Sequence, residues 1–156
     1  MRAVEIEYTL KKATEEDILR HLQACDNNFL PPLSKKINLE AYSKKIYDNT
    51  ITFEVWYNKT LVGLVAAYFN DADNIVGFIT NVSTIKEYGG QGIASKLMNQ
   101  CILYGQQHNF ESIQLEVFPE NTVAFNMYKK FGFTEMTVRN NNLLMKFDLK
   151  KTKNDD

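Results

Sequence analysis

Val4, Ile6, Tyr8 and Leu10 alternate with polar residues, so the chain opens as a half-buried strand, because successive strand side chains face opposite ways. Thr14-Glu15-Glu16-Asp17 then reads as a helix start, a hydroxyl cap followed by acids in the first turn, and the helix is expected to run to about Cys25. Phe29-Leu30-Pro31-Pro32-Leu33 breaks it, since proline cannot continue a helix. Leu39, Tyr42 and Ile46 share one face of a second helix over 38–48. Two β-rich runs, Ile51–Tyr57 and Thr60–Phe69, meet at Asn58-Lys59 as a hairpin, and a third strand runs from Ile75 to about Thr84. Ala94, Leu97, Met98, Cys101 and Ile102 return to helical spacing, and Ile113, Leu115 and Val117 to strand spacing. Asn121 opens a helix carrying Ala124, Phe125, Tyr128 and Phe131 on one stripe, Gly132 closes it, and two strands follow, the second marked by Leu143, Met145, Phe147 and Leu149. The order β-α-α-β-β-β-α-β-α-β-β predicts a mixed α+β domain around one sheet, single over 1–150, with a disordered tail at 151–156.

Composition narrows the function classes. The 156 residues suit one domain, and 44% hydrophobic content supports a real core. A net charge of −1 without a basic block argues against nucleic acid and against an anionic membrane as partners. The N-terminus lacks a signal-like apolar run, and no segment is long enough to span a bilayer, so a cytoplasmic location is the default expectation. Cys25 and Cys101 are far apart, and His21 and His108 stand at unrelated spacing, so no metal site is proposed; Cys101, on an apolar helix face, reads as a buried thiol.

The candidate chemistry sits in Lys86-Glu87-Tyr88-Gly89-Gly90-Gln91-Gly92-Ile93-Ala94-Ser95-Lys96-Leu97, a glycine-rich turn between a strand and a helix. Such a turn can gather backbone N–H groups at a helix start and hold a phosphate or pyrophosphate, or it can be a flexible connection that needs glycine; the residues alone leave both open. It carries no Gly-Lys-Ser/Thr run, and Gly90-Gln91-Gly92-Ile93-Ala94-Ser95 ends in Ser and lies mid-chain, unlike a dinucleotide fingerprint.

Taken with Leu115-Glu116-Val117-Phe118-Pro119-Glu120-Asn121-Thr122-Val123-Ala124 and Tyr128 to Gly132-Phe133, the turn resembles the paired motifs of the Gcn5-related N-acetyltransferase (GNAT) family. The likeness spans about residues 75–133. It implies a mixed, mostly antiparallel sheet of about seven strands flanked by about four helices. It implies an acyltransferase using acetyl-CoA as cosubstrate and no metal, with a primary amine of a small molecule, amino sugar or peptide as acceptor. Cofactor contacts are implied at Val82, Ser83 and Thr84, at Gly90, Gln91, Gly92, Ile93, Ala94 and Ser95, and at Asn121. Gly89 stands where the family usually has Arg or Gln, which leaves the backbone N–H groups as donors, with Lys96 or Lys86 as added charge. That departure keeps a non-catalytic acyl-CoA-binding module as the alternative, and monomer and homodimer both stay open.

In a direct transfer the amine attacks the thioester, and no Ser or Cys nucleophile is needed. A lysine-like amine, with a pKa of about 10.4, is neutral in roughly one molecule of 2,500 at pH 7, a cost of about 4.6 kcal/mol, so a base or water relay is required. The departing thiolate needs a proton, and Tyr128 holds the family's position for that acid. Asn81 is the polar residue nearest the expected place on the central strand and can orient a water. Glu116 is the best carboxylate candidate for the base, Glu54 a weaker one. Phe29–Ser34 is either a packed connection or an acceptor wall or lid; Tyr68, Phe69 and Phe78 are further candidates to line that side, and Asp71 and Asp73 are turn formers that can attract a cationic amine.

Overall fold

The computed structural model describes residues 6–29, 31–73 and 75–150. Val4, Leu30 and the tail from 151 onward lie outside the described residues. The elements are β1 (Ile6–Leu10), α1 (Glu15–Cys25), α2 (Leu39–Asn49), β2 (Ile51–Tyr57), β3 (Thr60–Tyr68), β4 (Val76–Thr84), α3 (Ile93–Gln107), β5 (Ser112–Val117), α4 (Thr122–Phe131), β6 (Thr134–Arg139) and β7 (Asn142–Asp148).

Local chemistry accounts for the boundaries. Thr14 and Asp17 form a reciprocal capping box at the start of α1. Asn38 caps α2 through Ala41 N–H, and Asn121 caps α4 through Ala124 N–H. Asn58 and Lys59, and later Asn140 and Asn141, all have positive φ, the conformation that joins antiparallel strands in two-residue hairpins.

The seven strands form one sheet in the order β1-β2-β3-β4-β5-β7-β6. All pairs are antiparallel except β4 with β5. The larger core covers one face, where α3 brings Ile93, Leu97, Met98 and Cys101 onto Phe53, Val55, Val65 and Ile79. The smaller core covers the other, where Ile18 and Leu22 of α1 and Ile46 of α2 meet Leu61, Leu64 and Ala66. Strand β3 is therefore buried on both sides, which is why it reads as an apolar run rather than an alternation. Each fully buried aliphatic side chain contributes about 1.5–3 kcal/mol.

Two irregularities position the site. The parallel ladder between β4 and β5 stops at Ile79 opposite Leu115, although β4 continues to Thr84 and β5 to Val117. Within β4, Asn81 pairs with Ala66 and Ile79 with Ala67, so Thr80 is an extra residue, a β-bulge. The bulge shifts the alternation, so that Ile79 and Val82 both meet the larger core while Asn81 and Ser83 turn to the face of α1 and α2.

Candidate active site

The glycine turn lies between β4 and α3. A short 3-10 turn at Lys86–Tyr88 is closed by Gly89 N–H donating to Lys86 O at 3.0 Å. Tyr88 anchors it, its ring 4.6 Å from that of Tyr57. Gly90 and Gly92 both have φ of 78°, the left-handed region open to glycine at no steric cost, and Gly92 is the residue before the helix. This cap makes no side-chain hydrogen bond, and no described residue accepts from the N–H groups of Gly90 to Ser95. A helix start leaves these donors over and adds roughly half a positive charge, so free donors and positive partial charge gather at the turn. Gly89 brings no side chain, and the ammonium of Lys96 stands 4.6 Å from the ring centre of Tyr8.

Beside the turn, β4 and β5 part. Their edges facing one another beyond Ile79 have no ladder partners, which opens a slot flanked by Val82, Ser83 and Thr84. On the larger-core side stands Tyr128, 8% exposed, with its ring 6.0 Å from that of Phe133. Burial pushes its hydroxyl up to about 12. On the opposite side stands Asn81, 5% exposed, its amide oxygen 2.7 Å from Ser83 Oγ. Tyr42 of α2 reaches the bulge, donating to the Thr80 carbonyl at 2.7 Å, with Thr80 Oγ1 2.8 Å away. Burial raises the Tyr42 hydroxyl, while the Thr80 and Asn81 side chains oppose that rise. Tyr128 thus lies in the larger core and Asn81 on the opposite face of the sheet, toward α1 and α2.

The two carboxylates singled out by sequence are both engaged. Glu116 alternates with the core-facing Leu115 and Val117, and its Oε2 accepts from Arg139 of β6 at 2.7 and 2.8 Å. Glu54 lies on β2 and is fully buried. Its Oε1 accepts from Thr9 Oγ1 at 2.6 Å and Lys12 N–H at 3.0 Å; its Oε2 accepts from Ala13 N–H at 3.0 Å and Thr52 Oγ1 at 2.6 Å. It fastens the β1–α1 turn to the sheet.

The segment between α1 and α2 is tied down by Asp26, which accepts from Ser34 N–H at 2.7 Å and Ser34 Oγ at 2.6 Å. Leu33 packs on the smaller core, and Lys36 lies 5.2 Å from the ring centre of Phe118, just past β5. This segment therefore crosses near the open end of the slot. A depression of about 490 Å³ lined by Gln106, Gly132, Thr134, Lys146, Phe147 and Asp148 lies at the other end of α3. It presents Lys146 and Asp148 together, with no row of backbone donors, and the turn and slot remain the better site.

His21 of α1 was paired with nothing by sequence. It is 2% exposed, with Nδ1 2.9 Å from Leu61 O and Nε2 2.8 Å from Ser83 Oγ. Its partners lie 40 and 62 residues away, so no local pattern signals them. Among the described residues no group of three His, Cys, Asp or Glu could hold a metal, and no helix is long and apolar enough to cross a membrane. Cys25 and Cys101 are both buried free thiols, raised by desolvation.

A sequence profile of the acetyltransferase (GNAT) family matches residues 15–133. The chain is 28% identical over 102 residues to N-alpha-acetyltransferase 30 of Schizosaccharomyces pombe, covering 60% of this chain and 68% of that protein. It is 29% identical over 84 residues to the [Ribosomal protein bS18]-alanine N-acetyltransferase of Haemophilus ducreyi, covering 47% of this chain and 58% of that protein, less than two thirds of its length. The fold is shared with the Ard1 protein of Thermoplasma volcanium (TM-score 0.74, 18% identity, 92% of this chain and 99% of that one). It is shared also with the PaiA N-acetyltransferase of Thermoplasma acidophilum, solved with coenzyme A (TM-score 0.70, 15% identity, 94% and 99%).

Proposed function

The chain belongs to the acetyltransferase (GNAT) family, and on that premise we propose that it is an acetyl-CoA-dependent enzyme passing the acetyl group directly to a primary amine. The observation that carries the reading is the adjacency of the donor-rich turn at Gly90–Ser95 and the slot between β4 and β5. Backbone N–H groups of Gln91 to Ser95 would hold the pyrophosphate, and the open edge of Val82–Thr84 would face the pantetheine arm. Asn121 supports that side as the cap of α4. Acetyl-CoA supplies an activated thioester.

Tyr128 is assigned as the acid for the departing sulfur. A hydroxyl at about 12 is some 3.5 units above a free thiol of about 8.5, a mismatch of roughly 5 kcal/mol in water. A thiolate released into the same apolar gap is raised by the same desolvation, which narrows the difference. Asn81, on the α1 and α2 face of β4, would orient the amine or a water. Glu116 serves as the base only if Arg139 releases it.

With both carboxylates engaged, the site suits an acceptor that needs little deprotonation. A peptide α-amine, with a pKa of about 8, is neutral in about one molecule of ten at pH 7. That costs about 1.4 kcal/mol, roughly 3 kcal/mol less than a lysine amine. The two relatives named above act, by their names, on α-amines and on a ribosomal-protein alanine. We therefore favour a peptide N-terminus as the acceptor.

The test is thiol release from acetyl-CoA with three acceptors: a peptide with a free N-terminus, the same peptide N-terminally blocked but carrying lysine, and an amino sugar. Turnover should favour the first. Tyr128→Phe should lower kcat about 100-fold while leaving the acetyl-CoA KM within about threefold. Acetyl-CoA binding with no turnover of any amine would instead mark a non-catalytic acyl-CoA-binding module.

A further inference from the structure

Thr80 is absent from both registers of β4. On one side Ala66 pairs with Asn81 and Ala67 with Ile79; on the other the parallel ladder with β5 ends at Ile79. A bulged residue loses the ladder bonds that would otherwise fix it, so its polar groups need partners elsewhere. Tyr42 of α2 supplies them. The Thr80 carbonyl can only accept, so the Tyr42 hydroxyl, 2.7 Å away, gives it its one hydrogen. Thr80 Oγ1 stands 2.8 Å from the same phenol oxygen, which has only acceptor capacity left, so the threonine hydroxyl donates back. Main chain and side chain of the bulge residue are thus both fastened to one tyrosine oxygen.

That oxygen has a stiff support. Tyr42 lies in the first turn of α2, its N–H donating to Asn38 O at 3.0 Å, and its ring packs on the smaller core. One turn on, Ile46 is fully buried in that core. The bulge it holds decides how the rest of β4 faces. Without the extra residue, alternation from Ile79 would send Asn81 and Ser83 into the larger core and turn Val82 to the face of α1 and α2. The bulge also falls directly after the last pair of the β4–β5 ladder, where the edge that carries Val82–Thr84 begins to stand free.

We propose that Tyr42 is a positioning residue for the cosubstrate: its hydroxyl pins the bulge at Thr80 and so fixes where β4 leaves β5 and how the Val82–Thr84 edge meets the pantetheine arm. The proposal rests on the acetyltransferase reading above and adds to it a residue of α2, on the far face of the sheet from the larger core.

The experiment measures coenzyme A binding by calorimetry, the KM of acetyl-CoA and of the acceptor by steady-state kinetics, and thermal unfolding. Tyr42→Phe keeps the ring and removes only the hydroxyl. It should weaken coenzyme A binding and raise the acetyl-CoA KM about tenfold, the worth of one hydrogen bond, with the acceptor KM within about twofold. Thr80→Val leaves the carbonyl its donor and removes only the bond donated back, so coenzyme A binding should weaken about threefold. Ile46→Val, on the same helix and with no hydrogen bond to β4, is the control; it should lower the unfolding midpoint and leave coenzyme A affinity unchanged. Amide NMR signals of Asn81–Thr84 should shift in Tyr42→Phe and stay in place in Ile46→Val. A Tyr42→Phe enzyme that loses stability as Ile46→Val does, yet binds coenzyme A like the parent, has lost packing alone, and that result overturns the proposal. If Tyr42→Phe does not fold, Thr80→Val decides, and parent-like coenzyme A affinity there overturns it. If the parent binds coenzyme A but turns over no amine, the transfer reading falls while the coenzyme A measurements still decide on Tyr42; a parent that binds no coenzyme A sinks both.

Discussion

Glu54 offers a stringent test of how the fold is held. Its carboxylate is fully buried and accepts four hydrogen bonds, two at each oxygen, one of each pair from a backbone N–H and one from a threonine hydroxyl. Glu54→Gln preserves shape but puts an NH2 where an oxygen was. A threonine hydroxyl can rotate and accept from that NH2; the backbone N–H of Lys12 or Ala13 cannot. One buried backbone donor is thus left facing another donor, at about 1–3 kcal/mol, and the surviving bonds lose their charge assistance, at up to about 1 kcal/mol each. The sum is roughly 3–5 kcal/mol, a large share of a typical domain stability of about 5–15 kcal/mol. At about 2–4 °C per kcal/mol, the midpoint should fall by roughly 10 °C or more. Urea unfolding gives the free energy directly. Glu116→Gln, at the partly exposed pair with Arg139, should cost less than about 1 kcal/mol and serves as the comparison. Turnover per folded Glu54→Gln molecule should equal the parent's, since Glu54 sits on β2, two strands from β4. A loss below about 1 kcal/mol would refute the four-bond account, and a collapse of turnover in fully folded protein would restore Glu54 as a candidate base.

Gly92→Ala meets no neighbour within 4 Å but must hold φ at 78°, so it should cost about 1–2 kcal/mol and raise the acetyl-CoA KM; an unchanged KM would mean the turn does not grip the cosubstrate. Gly89→Arg, whose Cβ would stand 3.3 Å from Lys86 O, should lower that KM at unchanged kcat, and an unchanged or raised KM would show that the backbone donors already suffice. Ser43 Oγ on α2 is buried with no hydrogen-bond partner among the described residues, so Ser43→Ala should raise stability by roughly 1–2 kcal/mol in thermal or urea unfolding; a loss would reveal a partner for the hydroxyl.

Much of this was legible from residue patterns because the determinants are local. Apolar spacing located the helices and strands, and Asn58-Lys59 turned as a hairpin through two positive φ values. The glycine turn announced a site because a missing side chain is visible in any sequence. What stayed hidden depends on contacts between distant segments. The bulge at Thr80 rotates Asn81 and Ser83 to the opposite face from the one simple alternation from Ile79 assigns. Glu54 resembled a candidate base because nothing near it in the chain reveals Thr9, Lys12 and Ala13 as its donors. Glu116 depends on Arg139, 23 residues on, and His21 on residues still farther away.

The four-residue ladder between β4 and β5 has a mechanical meaning. Strands β1 to β4 form one plate and β5, β7 and β6 another, stitched at one end only, from Val76–Ser112 to Ile79–Leu115. Over the rest of their length the two plates share no ladder, so a molecule filling the open margin would itself bridge them and add to what joins one half of the sheet to the other.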